Sequence, residues 1–165
     1  MSNKAVIAFG SNKGDSKMNI SLALQCLNSH AQIKVISTSS LFETKPVGFS
    51  SENDFLNGCL EIKTSLDPGA LLLALQCLEK ELGREKTKPG YEDREIDLDI
   101  IYFNSLAINS ETLVIPHPRM RVRNFVLEPL AEICPNWIHP LYLETSIELL
   151  SKSPDKEKAN RMNAL

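Results

Sequence analysis

The 165-residue sequence lacks a hydrophobic run long enough to cross a membrane, which takes about 20 consecutive apolar residues. Its first residues lack the basic segment and long apolar segment of a secretory signal peptide, so we expect a cytoplasmic location. The net charge of −3 excludes a global attraction to nucleic acid or to an anionic membrane. Any anion-binding site therefore has to be local, and small molecules are the expected partners.

Cysteine is scarce and unclustered. The four cysteines form no C-x-x-C pair, which argues against a zinc site or a disulfide framework. Cys26 and Cys77 fall within apolar helical patterns, so we predict buried, reduced thiols.

The common nucleotide-binding signatures are also missing. The sequence contains neither the G-x-x-x-x-G-K-[ST] phosphate loop nor the protein-kinase set of motifs. The glycine-bearing segment "GSNKGD" at 10–15 is too short to be specific, and a tight strand-to-helix turn explains it equally well.

What the sequence does contain is an ordinary globular composition, with 42% hydrophobic and 24% charged residues. We predict one domain over residues 1–152, followed by a polar, flexible tail at 153–165, and a monomer.

Hydrophobic periodicity predicts the order β-α-β-β-α-β. The strands are expected at 4–9, 33–44, 55–65 and 94–103, and the first helix at 18–30. The second helix has Asp67 as its N-cap, Pro68 at its first position and Gly83 just past its end. This order favours an α+β fold of the ferredoxin-like type, a mainly antiparallel sheet with helices packed on it. Further helices are expected at 124–133, where Pro129 interrupts the pattern or marks the first turn, and at 146–152.

The last of these strands, "REIDLDIIYF" at 94–103, carries two carboxylates on one face. Successive side chains alternate faces, so Asp97 and Asp99 lie on one side with α-carbons about 6.5 to 7 Å apart. A divalent cation between them would remove their repulsion, and an all-oxygen ligand set favours magnesium over zinc. A strand with one face in water would also give this alternation.

Basic residues flank this strand on both sides, and they favour the metal interpretation. Arg84, Lys86, Lys88 and Arg94 precede or open it, and Arg119, Arg121 and Arg123 follow the Pro116–His117 pair. Carboxylates for a metal together with cations for phosphate suit a nucleoside triphosphate site, although charged loops are usually only solvated.

Six segments in order resemble one enzyme family. They are "FGSNKGD" at 9–15, "ETKPVGF" at 43–49, "FLNGC" at 55–59, "LGREK" at 82–86, "REIDLDII" at 94–101 and "IPHPRMRVRNFVLEPL" at 115–130. Together they resemble the 6-hydroxymethyl-7,8-dihydropterin pyrophosphokinases of folate biosynthesis, over about residues 5–147. The resemblance implies a ferredoxin-like fold and transfer of pyrophosphate from ATP to the hydroxymethyl group of the pterin, giving AMP.

The resemblance also implies a set of ATP-site residues. Asp97 and Asp99 match the pair that binds two magnesium ions, and with Arg84, Arg94 and Arg123 they form the expected catalytic group. The remaining expected ATP contacts are Lys86, Tyr91, Ile100 and His117, with Arg123 shared between the two groups. Glu79 stands at a family acidic position, although an exposed helix glutamate is an equal alternative.

The implied pterin pocket uses other segments. Asn57 resembles the amide that hydrogen-bonds the ring, because an amide offers a donor and an acceptor together. Phe125 resembles the stacking aromatic, and Phe55 occupies the nearby Tyr/Phe position, although core packing would also explain both rings. The loop facing the pterin is expected to contain Thr44, Pro46, Val47 and Gly48.

The sequence departs from the family just before the aspartate strand. The family usually has W-G-P-R there, and this chain has "YEDR" at 91–94. Tyr91 occupies the position of the tryptophan and is expected to replace it as a lid over the site. Glu92 and Asp93 replace a glycine-proline turn. The departure affects how the loop closes and leaves the aspartate pair intact.

Two other classes of function remain open from the residues. One is a noncatalytic ligand-binding module, because ferredoxin-like sandwiches host many functions. The other is a different magnesium-dependent phosphotransferase, which would keep the aspartates and need no pterin pocket.

Overall fold

The computed structural model describes residues 2–84, 92–157 and 159–162. Its strands are β1 (Asn3–Ser11), β2 (Ile33–Thr38), β3 (Phe42–Thr44), β4 (Phe55–Thr64), β5 (Asp97–Phe103), β6 (Ile108–Asn109), β7 (Val114–Ile115) and β8 (Asn160–Arg161). Its helices are α1 (Ser16–Ser29), α2 (Pro68–Glu81), a 3₁₀ turn at Met120–Val122, α3 (Asn124–Ile133) and α4 (Ser146–Ser151).

Six of these strands form one antiparallel sheet. Their order is β5-β1-β4-β3-β8, and β2 also pairs with β4. The strands β6 and β7 form a separate two-stranded sheet. The central position of β1 and β4, with β5 and β2 outside them, confirms the predicted ferredoxin-like α+β sandwich.

Alternation along the strands produces a core on each face of the sheet. On one face, Ile7 of β1, Leu60 of β4 and Leu98 of β5 join apolar residues of α1 and α2. On the other face, Val6 and Ile101 join a cluster with α3 and α4. The central strands are therefore covered on both sides, except where the second face opens into a cleft described below.

Both long helices are capped at the N-terminus by an aspartate. The side chain of Asp15 accepts a hydrogen bond from the Met18 N–H, and Asp67 accepts one from the Ala70 N–H at the start of α2. Each carboxylate satisfies a backbone donor that has no partner within the helix. Gly83 has a φ of +93°, in the left-handed region that glycine enters at low cost. The predicted boundaries of α2 are thus confirmed.

Two predicted elements differ in detail. The strand expected at 33–44 is split, because residues 39–41 leave the ladder between β2 and β3. Pro129 neither interrupts α3 nor marks its first turn but lies within it. It lacks only its own N–H, and α3 is stabilised by its buried face of Val126, Leu127 and Leu130.

The predicted burial of two cysteines is wrong. Cys26 and Cys77 are exposed, whereas Cys59 and Cys134 are buried, and all four are free thiols. The two exposed thiols lie on the solvent side of α1 and α2, where a small side chain can occupy the edge of an apolar stripe. The apolar periodicity of the sequence does not show which residues of α1 and α2 lie at the edge of the stripe.

The C-terminal segment contains a short strand. Within residues 153–165, β8 pairs with β3. The division into a domain at 1–152 and a flexible tail stays a prediction.

Among the helices of the described ranges, none combines the length and the apolar character that crossing a membrane requires.

Candidate active site

A cleft of about 700 Å³, open mouth included, lies on the α3 side of the sheet. Its floor comes from β1, β4 and β5, and its walls come from the loop at 45–54 and the segment before α3. The lining residues are Ala8, Phe9, Gly10, Thr44, Lys45, Val47, Phe49, Phe55, Asn57, Arg94, Asp97, Asp99, Ile101, His117, Arg123, Phe125 and Val126.

Three neighbouring strands place one residue each in a single row across the floor. Gly10 of β1 is paired with Asn57 of β4 on one side and with Asp97 of β5 on the other. Since adjacent strands are about 4.8 Å apart, Asn57 and Asp97 are separated by roughly 10 Å. A Cβ on Gly10 would come within 2.8 Å of the Asn57 Oδ1 atom. Glycine therefore leaves the floor open between the carboxylates and the amide.

The predicted alternation along β5 is confirmed. Asp97 and Asp99 share the cleft face with Ile101, and Leu98 and Ile100 are buried in the core on the opposite face. The apolar alternates fix the strand, so the two carboxylates are presented by a rigid element.

Two arginines hold the Asp97 carboxylate. Arg84 Nη1 lies 2.8 Å from Asp97 Oδ1, and Arg94 Nη1 lies 2.7 Å from Asp97 Oδ2. Arg84 Nη1 also pairs with Oε1 of Glu79, and that oxygen accepts the Leu98 N–H at 2.7 Å. Charge-assisted hydrogen bonds of this kind fix side-chain geometry.

Glu79 is buried, with 8% of its surface exposed, so the alternative of an exposed helix glutamate is excluded. Burial raises the pKa of this carboxyl above its usual range, with a smaller contribution from Asp97, while Arg84 and the Leu98 N–H oppose the rise. Glu79 therefore links α2 to β5 directly beneath the aspartate pair.

Asp99 has a different environment. Its side chain is 46% exposed to the cleft, and Nε2 of His117 lies 4.0 Å from Asp99 Oδ2. The surrounding protein limits its solvation and raises the pKa of Asp99 to about 7, and the charges of Asp97 and Glu79 add to this effect. This carboxylate is open to a ligand from the cleft.

His117 is neutral at physiological pH. Burial lowers its pKa to about 4, and the nearby Arg123 contributes in the same direction. Its Nδ1 accepts the Arg119 N–H at 3.3 Å, so the ring proton is placed on Nε2, on the side of Asp99. The ring therefore offers a hydrogen-bond donor to the cleft.

Arg123 and Phe125 form the wall opposite the aspartates. The guanidinium carbon of Arg123 lies 5.4 Å from the centroid of the Phe125 ring. Burial lowers the pKa of Arg123, and the charges of Asp99 and Asp97 oppose that shift. A cation stacked on a ring keeps its charge available for an anionic ligand.

The other end of the cleft combines an amide with aromatic rings. Asn57 Nδ2 donates to Thr44 Oγ1 at 2.8 Å, which orients the amide and leaves it a second hydrogen. Phe55 meets Phe49 edge to face at 6.2 Å, and the Arg94 guanidinium carbon lies 5.9 Å from the Phe55 centroid. This end suits a flat, polar ring system.

The donor set fits magnesium. In the described ranges, the structure contains no cluster of three or more His, Cys, Asp and Glu residues able to hold a metal. Magnesium commonly takes only one or two carboxylates and fills its other positions with water and phosphate oxygens. Asp97 and Asp99 supply that number from one face of β5.

The structure brings most of the predicted site residues to the cleft. Those that line it are Thr44, Val47, Phe55, Asn57, Arg94, Asp97, Asp99, His117, Arg123 and Phe125. Arg84 lies behind them against Asp97. Pro46 and Gly48 alternate with lining residues of their loop, and Lys86 and Tyr91 lie outside the described residues.

One predicted ATP contact does not reach the cleft through its side chain. Ile100 is 4% exposed and packs in the core on the other face of β5. Alternation excludes its side chain from the cleft, so any contact with ATP would use its backbone.

Sequence reasoning missed several lining residues. Lys45 and Phe49 belong to the polar loop, and nothing local in the sequence indicates that they turn inward. The local sequence indicates only a turn at Gly10, because the role of Gly10 in the floor depends on strand pairing across the sheet.

An α+β sandwich with carboxylates, arginines and an aromatic-amide pocket in one cleft defines a small-molecule enzyme of the phosphate-transferring class. The sequence pattern of the 7,8-dihydro-6-hydroxymethylpterin-pyrophosphokinases (HPPK) matches residues 6–135. The chain belongs to this family, whose co-substrate is ATP.

Named relatives agree with this assignment. The 2-amino-4-hydroxy-6-hydroxymethyldihydropteridine pyrophosphokinase of Bacillus subtilis is 48% identical over 134 residues, covering 81% of this chain and 80% of that protein. The protein of the same name from Aquifex aeolicus is 42% identical over 136 residues, covering 82% and 83%.

A solved structure supports the fold. Plasmodium falciparum HPPK-DHPS with pteroate superposes with a TM-score of 0.73 at 18% identity, over 92% of this chain and 42% of that chain. At this identity the likeness concerns the fold alone.

Proposed function

We propose that the chain transfers the pyrophosphoryl group of ATP to the hydroxymethyl group of 6-hydroxymethyl-7,8-dihydropterin, in folate biosynthesis. In this proposal ATP occupies the Asp97–Asp99 end of the cleft, and the pterin occupies the Asn57–Phe125 end. The proposal rests most on one observation, the row Asn57–Gly10–Asp97 across three strands. The row supports the proposal because the amide that we assign to the ring and the carboxylate that we assign to the metal share one rigid floor.

At the ATP end, we assign Asp97 and Asp99 to two magnesium ions. When bound, magnesium neutralises phosphate charge and orients the phosphate chain. Arg84 and Arg94 hold the Asp97 carboxylate in place through contacts of 2.8 and 2.7 Å. Arg123 and the Nε2–H of His117 face the same space and supply donors to the phosphate oxygens.

At the pterin end, we assign recognition to Asn57 and the aromatic rings. The contact with Thr44 fixes the Asn57 amide, so its remaining hydrogen and its oxygen meet the polar edge of a pterin. Phe55 and Phe125 provide apolar faces for the ring. Thr44 and Val47 of the neighbouring loop also line this end, and Pro46 and Gly48 set the path of that loop.

The chemical step is a single displacement. The pterin hydroxyl oxygen forms a bond to the β-phosphorus of ATP, the bond from that phosphorus to the α–β bridging oxygen breaks, and AMP leaves with that oxygen. The hydroxyl proton goes to solvent. The residues of this chain contribute position and charge, which can supply most of the rate enhancement in such a transfer.

Product analysis tests the proposal. The protein is mixed with ATP, magnesium and the pterin, and AMP and ADP are separated by chromatography. We expect AMP only when the pterin is present, and none from the Asp97→Ala/Asp99→Ala variant. The Asp54→Asn variant serves as a control, because it changes a partly exposed carboxylate of the neighbouring loop that forms an ion pair with the exposed Lys45.

Each other outcome contradicts the proposal in its own way. ADP as the product would mean transfer of one phosphoryl group. AMP from the double alanine variant would remove the aspartates from the reaction. No turnover by folded wild-type protein would favour a binding module.

We also propose that the protein acts as a monomer in the cytoplasm. The net charge of −3 and the ordinary composition support a free, single-domain enzyme. Light scattering after size exclusion is expected to give the mass of one 18.4 kDa chain, and twice that mass would contradict the proposal.

A further inference from the structure

A buried asparagine connects the turn after β1 to the start of the aspartate strand. Asn12 is 3% exposed, and its backbone N–H donates to the Arg94 carbonyl at 3.1 Å. Its Oδ1 accepts the Arg94 N–H at 2.9 Å, and the Lys13 N–H donates to the same carbonyl at 3.2 Å. The backbone of Arg94 is therefore held on both sides, which fixes the origin of the side chain that contacts Asp97.

The carboxylate of Asp93 extends this connection to a third segment. Its Oδ1 accepts the Asn12 Nδ2–H at 2.7 Å, and its Oδ2 accepts the Asn53 Nδ2–H at 3.1 Å. Asn12 Nδ2 also lies 3.3 Å from the Asn53 carbonyl oxygen. Slight burial acts to raise the pKa of Asp93, but hydrogen bonds from Ser51, Asn12 and Asn53 outweigh it and hold the pKa below its usual range.

The segment held in this way is the loop at 45–54, which forms a wall of the cleft. Val47 and Phe49 of this loop line the cleft, and Phe49 packs against Phe55. The ends of the loop are joined by the exposed Lys45–Asp54 pair at 2.8 Å, and exposed pairs contribute little. The hydrogen bonds that Ser51 and Asn53 donate to Asp93 thus link the loop to the segment that opens the aspartate strand.

We propose that Asp93 is a positioning residue that fixes the loop at 45–54 against Arg94, so that one carboxylate sets both the pterin-side wall and the metal-side arginine. The inference rests on the proposed function for the assignment of the two ends.

The test compares three single variants and one double variant. Asp93→Asn keeps the shape but turns one acceptor oxygen into a donor group that faces donor amides. Asn53→Ala removes one loop contact of Asp93 and leaves the hydrogen bond from Ser51. The double variant combines Asp93→Asn with Asn53→Ala, and Asp54→Asn is the matched control in the same loop. Calorimetry gives the pterin affinity in the presence of magnesium and a nonhydrolysable ATP analogue, steady-state kinetics give KM and kcat, and hydrogen exchange reports on the loop without ligand.

We expect Asp93→Asn to weaken pterin binding about tenfold, because a loop that is competent for only about a tenth of the time lowers apparent affinity by that fraction. Asn53→Ala weakens binding by a smaller factor, because Ser51 still donates to Asp93. The KM for the pterin rises as the affinity for the pterin falls, and kcat changes by less than about threefold. The double variant is no worse than Asp93→Asn alone, because the contact that Asn53→Ala removes is already lost in Asp93→Asn. Amides of residues 45–54 exchange about tenfold faster, and Asp54→Asn stays within about twofold of wild type.

Three results would overturn the inference: wild-type pterin affinity in Asp93→Asn, additive losses in the double variant, or an equal loss in Asp54→Asn. Failure of the proposed function is a separate outcome, in which the wild-type protein itself neither binds nor converts the pterin. In that case the exchange measurement still decides, because unchanged exchange in Asp93→Asn would disprove the link between Asp93 and the loop.

Discussion

Replacing Glu79 by alanine tests how α2 supports the aspartate strand. The Oε1 atom of Glu79 accepts the buried Leu98 N–H at 2.7 Å and also pairs with Arg84. Alanine leaves that N–H without an acceptor, which costs about 1–3 kcal/mol for a buried donor. For a chain of this length, a loss of about 2 kcal/mol corresponds to a fall in Tm of roughly 4–8 °C.

The matched variant is Glu79→Gln, which can place its amide oxygen where both donors converge. The pKa of Glu79 is raised on folding, so the stability that this group contributes is highest at low pH and is lost as pH rises from its unfolded pKa of about 4.3 toward its folded pKa. Glutamine resembles the protonated form. We therefore expect Glu79→Gln to lie within about 1 kcal/mol of wild type at pH 7.

Urea unfolding at pH 7, followed by circular dichroism, measures both variants. The reasoning would be refuted if Glu79→Gln were as unstable as Glu79→Ala, because the charge and not the acceptor would then be decisive. Wild-type stability of Glu79→Ala would equally contradict it.

The remaining predictions concern the floor, the thiols and the metal. Gly10→Ala puts a Cβ within 2.8 Å of Asn57 Oδ1, so the pterin KM should rise with little change in nucleotide affinity; equal losses for both ligands would contradict this. In the native protein, a thiol reagent should modify Cys26 and Cys77 rapidly and the two buried cysteines only after unfolding; four fast thiols would show that the burial is wrong. Chelation of magnesium should abolish turnover, and added magnesium should restore it; activity that persists in chelator would exclude a metal role.

The secondary structure was largely predictable because its signals are local. Asp67, Pro68 and Gly83 define α2 within one segment, and the apolar alternates of β5 define its two faces. The errors occur where local signals compete with packing. Pro129 is tolerated inside α3 because that helix buries an apolar face, a fact that the propensity of proline does not include.

The grouping of the candidate site residues was predictable where residues match a family pattern, and less so where geometry decides. The pattern predicts a shared site for the aspartates, His117 and Asn57, and the structure places them in one cleft, while their roles stay predictions. The contact of Asn12 with Asp93 joins residues that are 81 positions apart, and no local pattern indicates such a partner. The role of Gly10 likewise depends on which strands are neighbours.

The burial of Glu79 illustrates the same limit. Glu79 lies on α2, a helix whose polar residues are expected to face water, and yet it is buried. Glutamate is rarely buried unless it is paired. Only the approach of Leu98 and Arg84 from outside the helix explains its position.

The most direct test of the central claim counts the metal ions that we assign to Asp97 and Asp99. Manganese replaces magnesium, and electron paramagnetic resonance measures bound ions with the pterin and an ATP analogue whose α–β bridging oxygen is a methylene group. We expect two ions per chain in the wild type and in Asp54→Asn, and at most one in Asp97→Asn or Asp99→Asn. Two ions in all four proteins would contradict the assignment of the metal to this pair.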